Sequence, residues 1–189
     1  MLLVTEGEMC RTANGWDING FGQLKDGRGN ICPVTIILPT IAMEAIESFG
    51  KKDRIGIDEE ELLNQFMELL DATIGEARDQ LLHRFEWICS QSPDSAKFMY
   101  ENNLMAGYDG KDIRSALKHG TLAVGQLGLA ETLQLLIGCD HTEERGMVVA
   151  KRIEQLFKDR CKEYKEQYKL NFGVYYTPKC NIYHLWGLL

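Results

Sequence analysis

Cys10 stands in Met9-Cys10-Arg11-Thr12, and a run dense in turn-forming pairs follows it: Asn14-Gly15, Asn19-Gly20, Phe21-Gly22, Asp26-Gly27 and Gly29-Asn30. Glycine beside Asn or Asp favours positive φ and tight turns. Loops this long inside a compact domain usually carry function. The loop returns into a β-branched apolar segment, Val34-Thr35-Ile36-Ile37-Leu38, so its thiol can be carried into a pocket. Two readings stay open for Cys10 on the residues alone: a catalytic thiol shielded from water, or a small buried hydrophobe. Asn30 offers an amide that donates and accepts at once, and as the residue after Gly29 it also suits a plain turn. His119 could serve as acid, base or ligand, or simply close a helix whose dipole favours it. Cys139-x-His141 and Cys180-x-x-x-His184 each read as half a metal site with no matching second half.

The chain that must position these groups has 189 residues, enough for one ordinary domain with a sizeable core. Its 44% hydrophobic and 26% charged residues are those of a globular protein. A net charge of −7 argues against a surface that coats nucleic acid, while leaving room for a small phosphorylated ligand in a local pocket. No apolar run approaches the roughly 18 residues of a membrane span. Met1-Leu2-Leu3-Val4 lacks the basic and long apolar regions of a signal peptide. The expectation is a cytoplasmic protein without membrane or nucleic-acid partners. The six cysteines form no Cys-x-x-Cys pair, which excludes zinc-ribbon and thioredoxin-type sites. Cys32, Cys89, Cys139 and Cys161 read as reduced, buried small hydrophobes.

Local patterns give an alternation of strands and helices. A loop over 10–33 leads into a buried strand over 33–38, ended by Pro39. A helix follows from Thr40 to Phe49, with Gly50 as its stop. Asp58 with Glu61 forms a capping box, and Leu62, Phe66, Leu69, Leu70, Thr73, Ala77, Leu81, Phe85 and Ile88 trace one stripe of a long helix reaching Cys89. Short helices are expected from Ser92 to Tyr100 and from Asp112 to Lys118, a strand over Leu122–Gly125, and a helix over Leu127–Ile137. Thr142 is expected to cap a last long helix with Val149, Ile153, Leu156, Phe157, Cys161, Tyr164 and Tyr168 on its apolar side. Leu170–Tyr176 reads as a second buried strand, stopped by Thr177-Pro178. Strands separated by helices imply parallel pairing in an α/β barrel or sheet. Three short strands offer less sheet than the helices' apolar faces need, which points to a portion of something larger.

Several long motifs, taken in order, resemble the anaerobic (class III, glycyl-radical) ribonucleoside-triphosphate reductases. They are Cys10-Arg11-Thr12; Gly27-Arg28-Gly29-Asn30; Pro33 through Ala42; Trp87 through Pro93 with Phe98-Met99-Tyr100-Glu101; His119 through Gly125 with Leu127 through Glu131; and Leu170 through Pro178. The resemblance implies a partial ten-stranded α/β barrel of the glycyl-radical and ribonucleotide reductase type over residues 1–178. Long amphipathic helices surround it, and a finger loop, 10–33, is inserted down its centre. Residues 179–189 form a divergent tail that reads as a frameshift or a truncated product. Glu8-Met9 replaces the glycine, often preceded by methionine, that the family usually carries before its radical cysteine.

On this resemblance Cys10 becomes a thiyl radical that abstracts the ribose 3′ hydrogen and so weakens the bond to the 2′ hydroxyl. Such chemistry needs a site closed to water. Asn30 faces the substrate's 2′ side, near formate as reductant. Tyr176, Thr177 and Pro178 begin a loop whose backbone N–H groups donate to the substrate phosphates. The implied activity is reduction of NTPs to dNTPs for DNA synthesis. A stable glycyl radical, zinc and ATP or dNTP effectors are expected on segments this chain does not contain. A radical-SAM activating enzyme and a homodimer are expected for the complete protein. The alternative is a catalytically inactive fragment, acting at most as a nucleotide-binding or interaction piece. Glycyl-radical enzymes of the pyruvate formate-lyase type fit less well, because they often pair cysteines at the finger.

Overall fold

The computed structural model describes residues 17–22 and 28–175 in full, together with the backbone of Leu2–Val4 and Tyr176. Four strands make one sheet in the order β1 (Leu2–Val4), β2 (Asn30–Ile37), β3 (Thr121–Leu127) and β4 (Asn171–Tyr176). β1 is antiparallel to β2, whereas β2, β3 and β4 run parallel. Parallel neighbours need long crossovers. The chain supplies them as helices α1 (Leu38–Ser48), α2 (Glu59–Cys89), α3 (Lys97–Glu101) and α4 (Ile113–Leu117) between β2 and β3, then α5 (Leu129–Ile137) and α6 (Glu144–Tyr168) between β3 and β4. The described sheet therefore has four strands; the α/β class and the parallel pairing agree with expectation.

The long helix forms as its sequence dictates. Asp58 accepts a hydrogen bond from the Glu61 N–H at 3.0 Å, and Glu59, Glu60 and Glu61 place negative charge at the positive helix end. Its 31 residues extend about 46 Å. Phe66, Leu70, Ile74, Ala77, Leu81 and Phe85 are fully buried along one side. Each large side chain so buried contributes about 1.5–3 kcal/mol relative to exposure. α6 lies across it with Ile153, Phe157, Cys161 and Tyr164 inward. Arg160 is held in a two-pronged pair with Asp71 of α2 at 2.5 and 2.6 Å, and Arg78 lies over the Tyr164 ring.

Several details depart from the sequence reading, among them that β3 runs on to Leu127 and α5 begins only at Leu129. β2 begins at Asn30 rather than 33, because it absorbs an extra residue: Ile31 pairs with Leu122 but Val34 pairs with Val124. This bulge takes Cys32 to a φ of 44° and accommodates Pro33, which has no N–H to give the ladder. Pro39 does not merely stop the strand; it lies in the first turn of α1, where its missing N–H costs nothing. Thr142 does not cap α6. Its N–H and hydroxyl both donate to Asp140 Oδ1, at 2.8 and 2.5 Å, and Glu143 takes the cap position without a side-chain bond.

The two faces of the sheet differ. Ile31, Val34, Ile36, Leu122, Val124 and Phe172 join the helices in one apolar core. The register puts Asn30, Thr121 and Asn171 in one row on the opposite face, and Thr35, Gly125 and Tyr175 in another. Thr35 Oγ1 and Tyr175 Oη are hydrogen-bonded at 2.9 Å, across Gly125. A Cβ at Gly125 would stand 2.3 Å from the Tyr175 ring, so only glycine lets that ring lie against the sheet.

Candidate functional site

The polar row at the N-terminal ends of β2, β3 and β4 is where chemistry-bearing groups converge. Asn30 opens β2, paired with Thr121. Its Nδ2 is buried without a hydrogen-bond partner among the described residues. A buried donor left unmade costs about 1–3 kcal/mol, and a carboxylate or hydroxyl oxygen brought to it would satisfy it. Two bonds fix the approach to Asn30. Gly29 carbonyl accepts from the Thr121 N–H at 2.9 Å, and Arg28 Nε donates to the His119 carbonyl at 2.6 Å.

Beside this row the turn 17–22 folds onto the same corner. Asp17 and Gly22 form an isolated antiparallel bridge. Asp17 is 1% exposed and its carboxylate is saturated with donors. Asn171 Nδ2 reaches Oδ1 at 2.8 Å, the Asn19 N–H reaches Oδ1 at 2.9 Å, and the Phe21 N–H reaches Oδ2 at 3.0 Å. His119 Nδ1 meets Oδ2 at 2.8 Å. Burial works against the charged form, but the bonds from Asn171, Asn19, His119 and Phe21 prevail and hold the carboxyl down at about 2. An ionised carboxylate only accepts, so Nδ1 of His119 carries the hydrogen. The imidazole is sandwiched further. Phe21 lies 4.2 Å from it centroid to centroid. Gly107, at φ +80°, gives it room that a Cβ would take, at 2.6 Å.

His119 thus follows α4 as the sequence suggested, and its ring is in addition a buried partner of Asp17. Asp17 and Asn171 were not singled out in the sequence. The structure brings Asn30, His119, Asp17 and Asn171 to one corner. Cys10, Thr177 and Pro178 lie outside the described residues. Tyr176 ends β4 opposite Gln126, at the far, C-terminal edge of the sheet from Asn30. Among the described residues no group of three or more His, Cys, Asp or Glu side chains could hold a metal ion, and no helix is long and apolar enough to cross a membrane. Cys139 and Cys161 are buried, whereas Cys32 and Cys89 are half-buried. Burial pushes the Cys161 thiol up to about 12 and, against the opposing Arg114 charge, the Cys89 thiol up to about 11. Cys32, Cys89 and Cys161, each raised by burial, are not poised as thiolates.

A family model described as anaerobic ribonucleoside-triphosphate reductase matches residues 5–182. The chain belongs to this family. The anaerobic ribonucleoside-triphosphate reductase of Escherichia coli (strain K12) is 27% identical over 184 residues, covering 92% of this chain and 23% of that protein. The enzyme of the same name from Salmonella typhimurium (strain LT2) is 27% identical over 188 residues, with the same coverage. The chain therefore spans about a quarter of the length of these reductases. The fold agrees. The anaerobic ribonucleotide reductase of Thermotoga maritima with citrate in the active site superposes with a TM-score of 0.57 at 19% identity, over 80% of this chain and 25% of that one. The same reductase in complex with dATP and CTP gives a TM-score of 0.52 at 17% identity, over 78% of this chain and 22% of that one.

Proposed function

We propose that this chain forms part of the catalytic barrel of an anaerobic ribonucleoside-triphosphate reductase, and that the polar face of its sheet looks into the barrel toward a ribonucleoside triphosphate. The observation that carries this reading is the buried, unpartnered Nδ2 of Asn30, on a small and polar sheet face where an apolar one would pack. A donor held there without a partner suits the oxygen of a ribose hydroxyl or of formate. In this reading Cys10 abstracts the 3′ hydrogen, Asn30 holds the 2′ side, and the backbone from Tyr176 through Pro178 takes the phosphates. Formate supplies the electron pair, leaving as carbon dioxide as the 2′ oxygen leaves as water. A glycyl radical, carried elsewhere in the complete protein, would supply the unpaired electron to Cys10. The protein's own contribution is to orient the thiol and exclude water.

The complete protein is proposed to take its radical from a radical-SAM activating enzyme, to work as a homodimer in the cytoplasm, and to carry zinc and its ATP or dNTP effectors on other segments. The test is anaerobic conversion of an NTP to its dNTP by the activated protein that carries this segment. Cys10→Ser should abolish product while leaving the nucleotide bound. Turnover retained by that variant would overturn the assignment.

A further inference from the structure

Two pieces of the loop before β2, the turn 17–22 and the run 28–30, are bonded to the same short stretch of chain. From the turn, Ile18 N–H donates to Asn171 Oδ1 at 3.1 Å, and Asn19 Nδ2 donates to the Lys118 carbonyl at 2.8 Å. From the run, Arg28 and Gly29 bond His119 and Thr121. Arg28 also reaches back to the Gly22 carbonyl at 3.4 Å, joining the two pieces. Asn171 Nδ2, besides bonding Asp17, lies 3.1 Å from the Gly120 carbonyl. At the centre sits the Asp17–His119 pair, with side chains 0% and 6% exposed.

A carboxylate taken so far out of water is expensive unless every lone pair is met. A chain that needed only a turn here would be served by an exposed asparagine. We propose that Asp17, His119 and Asn171 form a positioning latch that pins the turn 17–22 and the run 28–30 to one corner of the sheet and thereby sets where Asn30 stands. Asp17 is the hub: it takes donors from its own turn, from the loop before β3 and from β4. Phe21 and Gly107 shape the slot in which the imidazole presents Nδ1 to it. None of the three touches substrate in this account; they act through Asn30. The role of the latch in turnover rests on the reading of Asn30 as substrate-facing, whereas the latch itself does not.

The test is amide hydrogen exchange on the full chain, paired with steady-state kinetics of the activated protein that carries it. Asp17→Asn and His119→Ala should speed exchange at Ile18, Asn19, Phe21 and Thr121 by roughly tenfold, the loss expected for a hydrogen bond, while Leu70 and Ile74 in α2 are unchanged. His119→Asn keeps a donor near the Nδ1 position and should restore most of the protection. In the enzyme the two disruptive variants should lower kcat with little change in KM, and His119→Asn should recover kcat. Unchanged exchange at 18–21 overturns the latch, as does a failure of His119→Asn to rescue. Should Asp17→Asn loosen α2 as well, Phe21→Leu decides: faster exchange confined to 18–21 and 121 supports the latch, and uniform loosening overturns it. Faster exchange with kcat intact overturns the positioning role. If Cys10→Ser retains turnover, the reductase reading fails while the exchange result still stands.

Discussion

The helix side of the sheet and its opposite side are built from the same three parallel strands but solve different problems. Toward the helices, Val34, Ile36, Leu122 and Val124 continue an apolar core that runs through Phe66, Phe85 and Phe157. On the other side the same strands present Asn30, Thr35, Thr121, Gly125, Asn171 and Tyr175. Parallel sheets usually carry apolar side chains on both faces, because both are covered. Thr35, Thr121 and Asn171 are nonetheless buried here. Buried polar groups are kept where they bond each other or a ligand. Thr35 bonds Tyr175 and Asn171 bonds Asp17, whereas Asn30 Nδ2 bonds nothing described. One face therefore holds the fold together, and the other keeps a buried donor, Asn30 Nδ2, unmet among the described residues.

Substitutions on the two faces should separate these roles. The largest effect belongs to the helix side: Phe157→Ala, at a fully buried position, should cost about 3–5 kcal/mol in urea unfolding. A loss below about 1 kcal/mol would show that α6 is not part of the cooperative core. On the polar side, Gly125→Ala should cost about 1–3 kcal/mol, because the new Cβ meets the Tyr175 ring and Thr35 Oγ1. Adding Tyr175→Ala should recover part of that loss in a double-mutant cycle, and strict additivity would refute the close approach.

To the less buried carboxyls of Glu86, Asp109 and Asp140, which are also held down, the Asp17 corner adds a buried one. The folded carboxyl titrates at about 2, below its ordinary 3.8, so its stabilisation is fully present above pH 4 and is lost as pH falls toward 2. The difference is worth roughly 2 kcal/mol. Asp17→Asn should reduce the slope of the stability profile over that window, whereas an unchanged slope would place the acid sensitivity wholly elsewhere.

Much of the helix side was legible in the sequence. Asp58, the stripe from Leu62 to Phe85 and the run Val149–Tyr164 are local patterns with local causes, and the structure places them as read. The parallel order of β2, β3 and β4 followed from helices standing between strands. The polar side was legible only in pieces. Asn30 stood out through the resemblance of Gly27-Arg28-Gly29-Asn30 to the reductase family, but Asp17 reaches His119 across 102 positions and Asn171 across 154, distances at which no spacing rule operates. The bulge at Cys32 was missed because Pro33 reads as a strand boundary, and in the fold the extra residue lets the strand run past it. β1 was missed because three residues carry no periodicity; its partner, β2, defines it.

The most direct measurement concerns Asn30, where the face's unmet hydrogen bond lies. Asn30→Leu keeps the side-chain size and removes the amide. Thermal and urea stability should hold or rise, by up to about 1–3 kcal/mol, since the substitution removes a buried donor that has no described partner. NTP reduction by the activated, complete protein should at the same time fall by roughly 100-fold or more in kcat/KM, the scale of losing one oriented polar contact to the reacting centre. Reduction at the parent rate in a stably folded Asn30→Leu protein would contradict the claim that this face of the sheet holds the nucleotide.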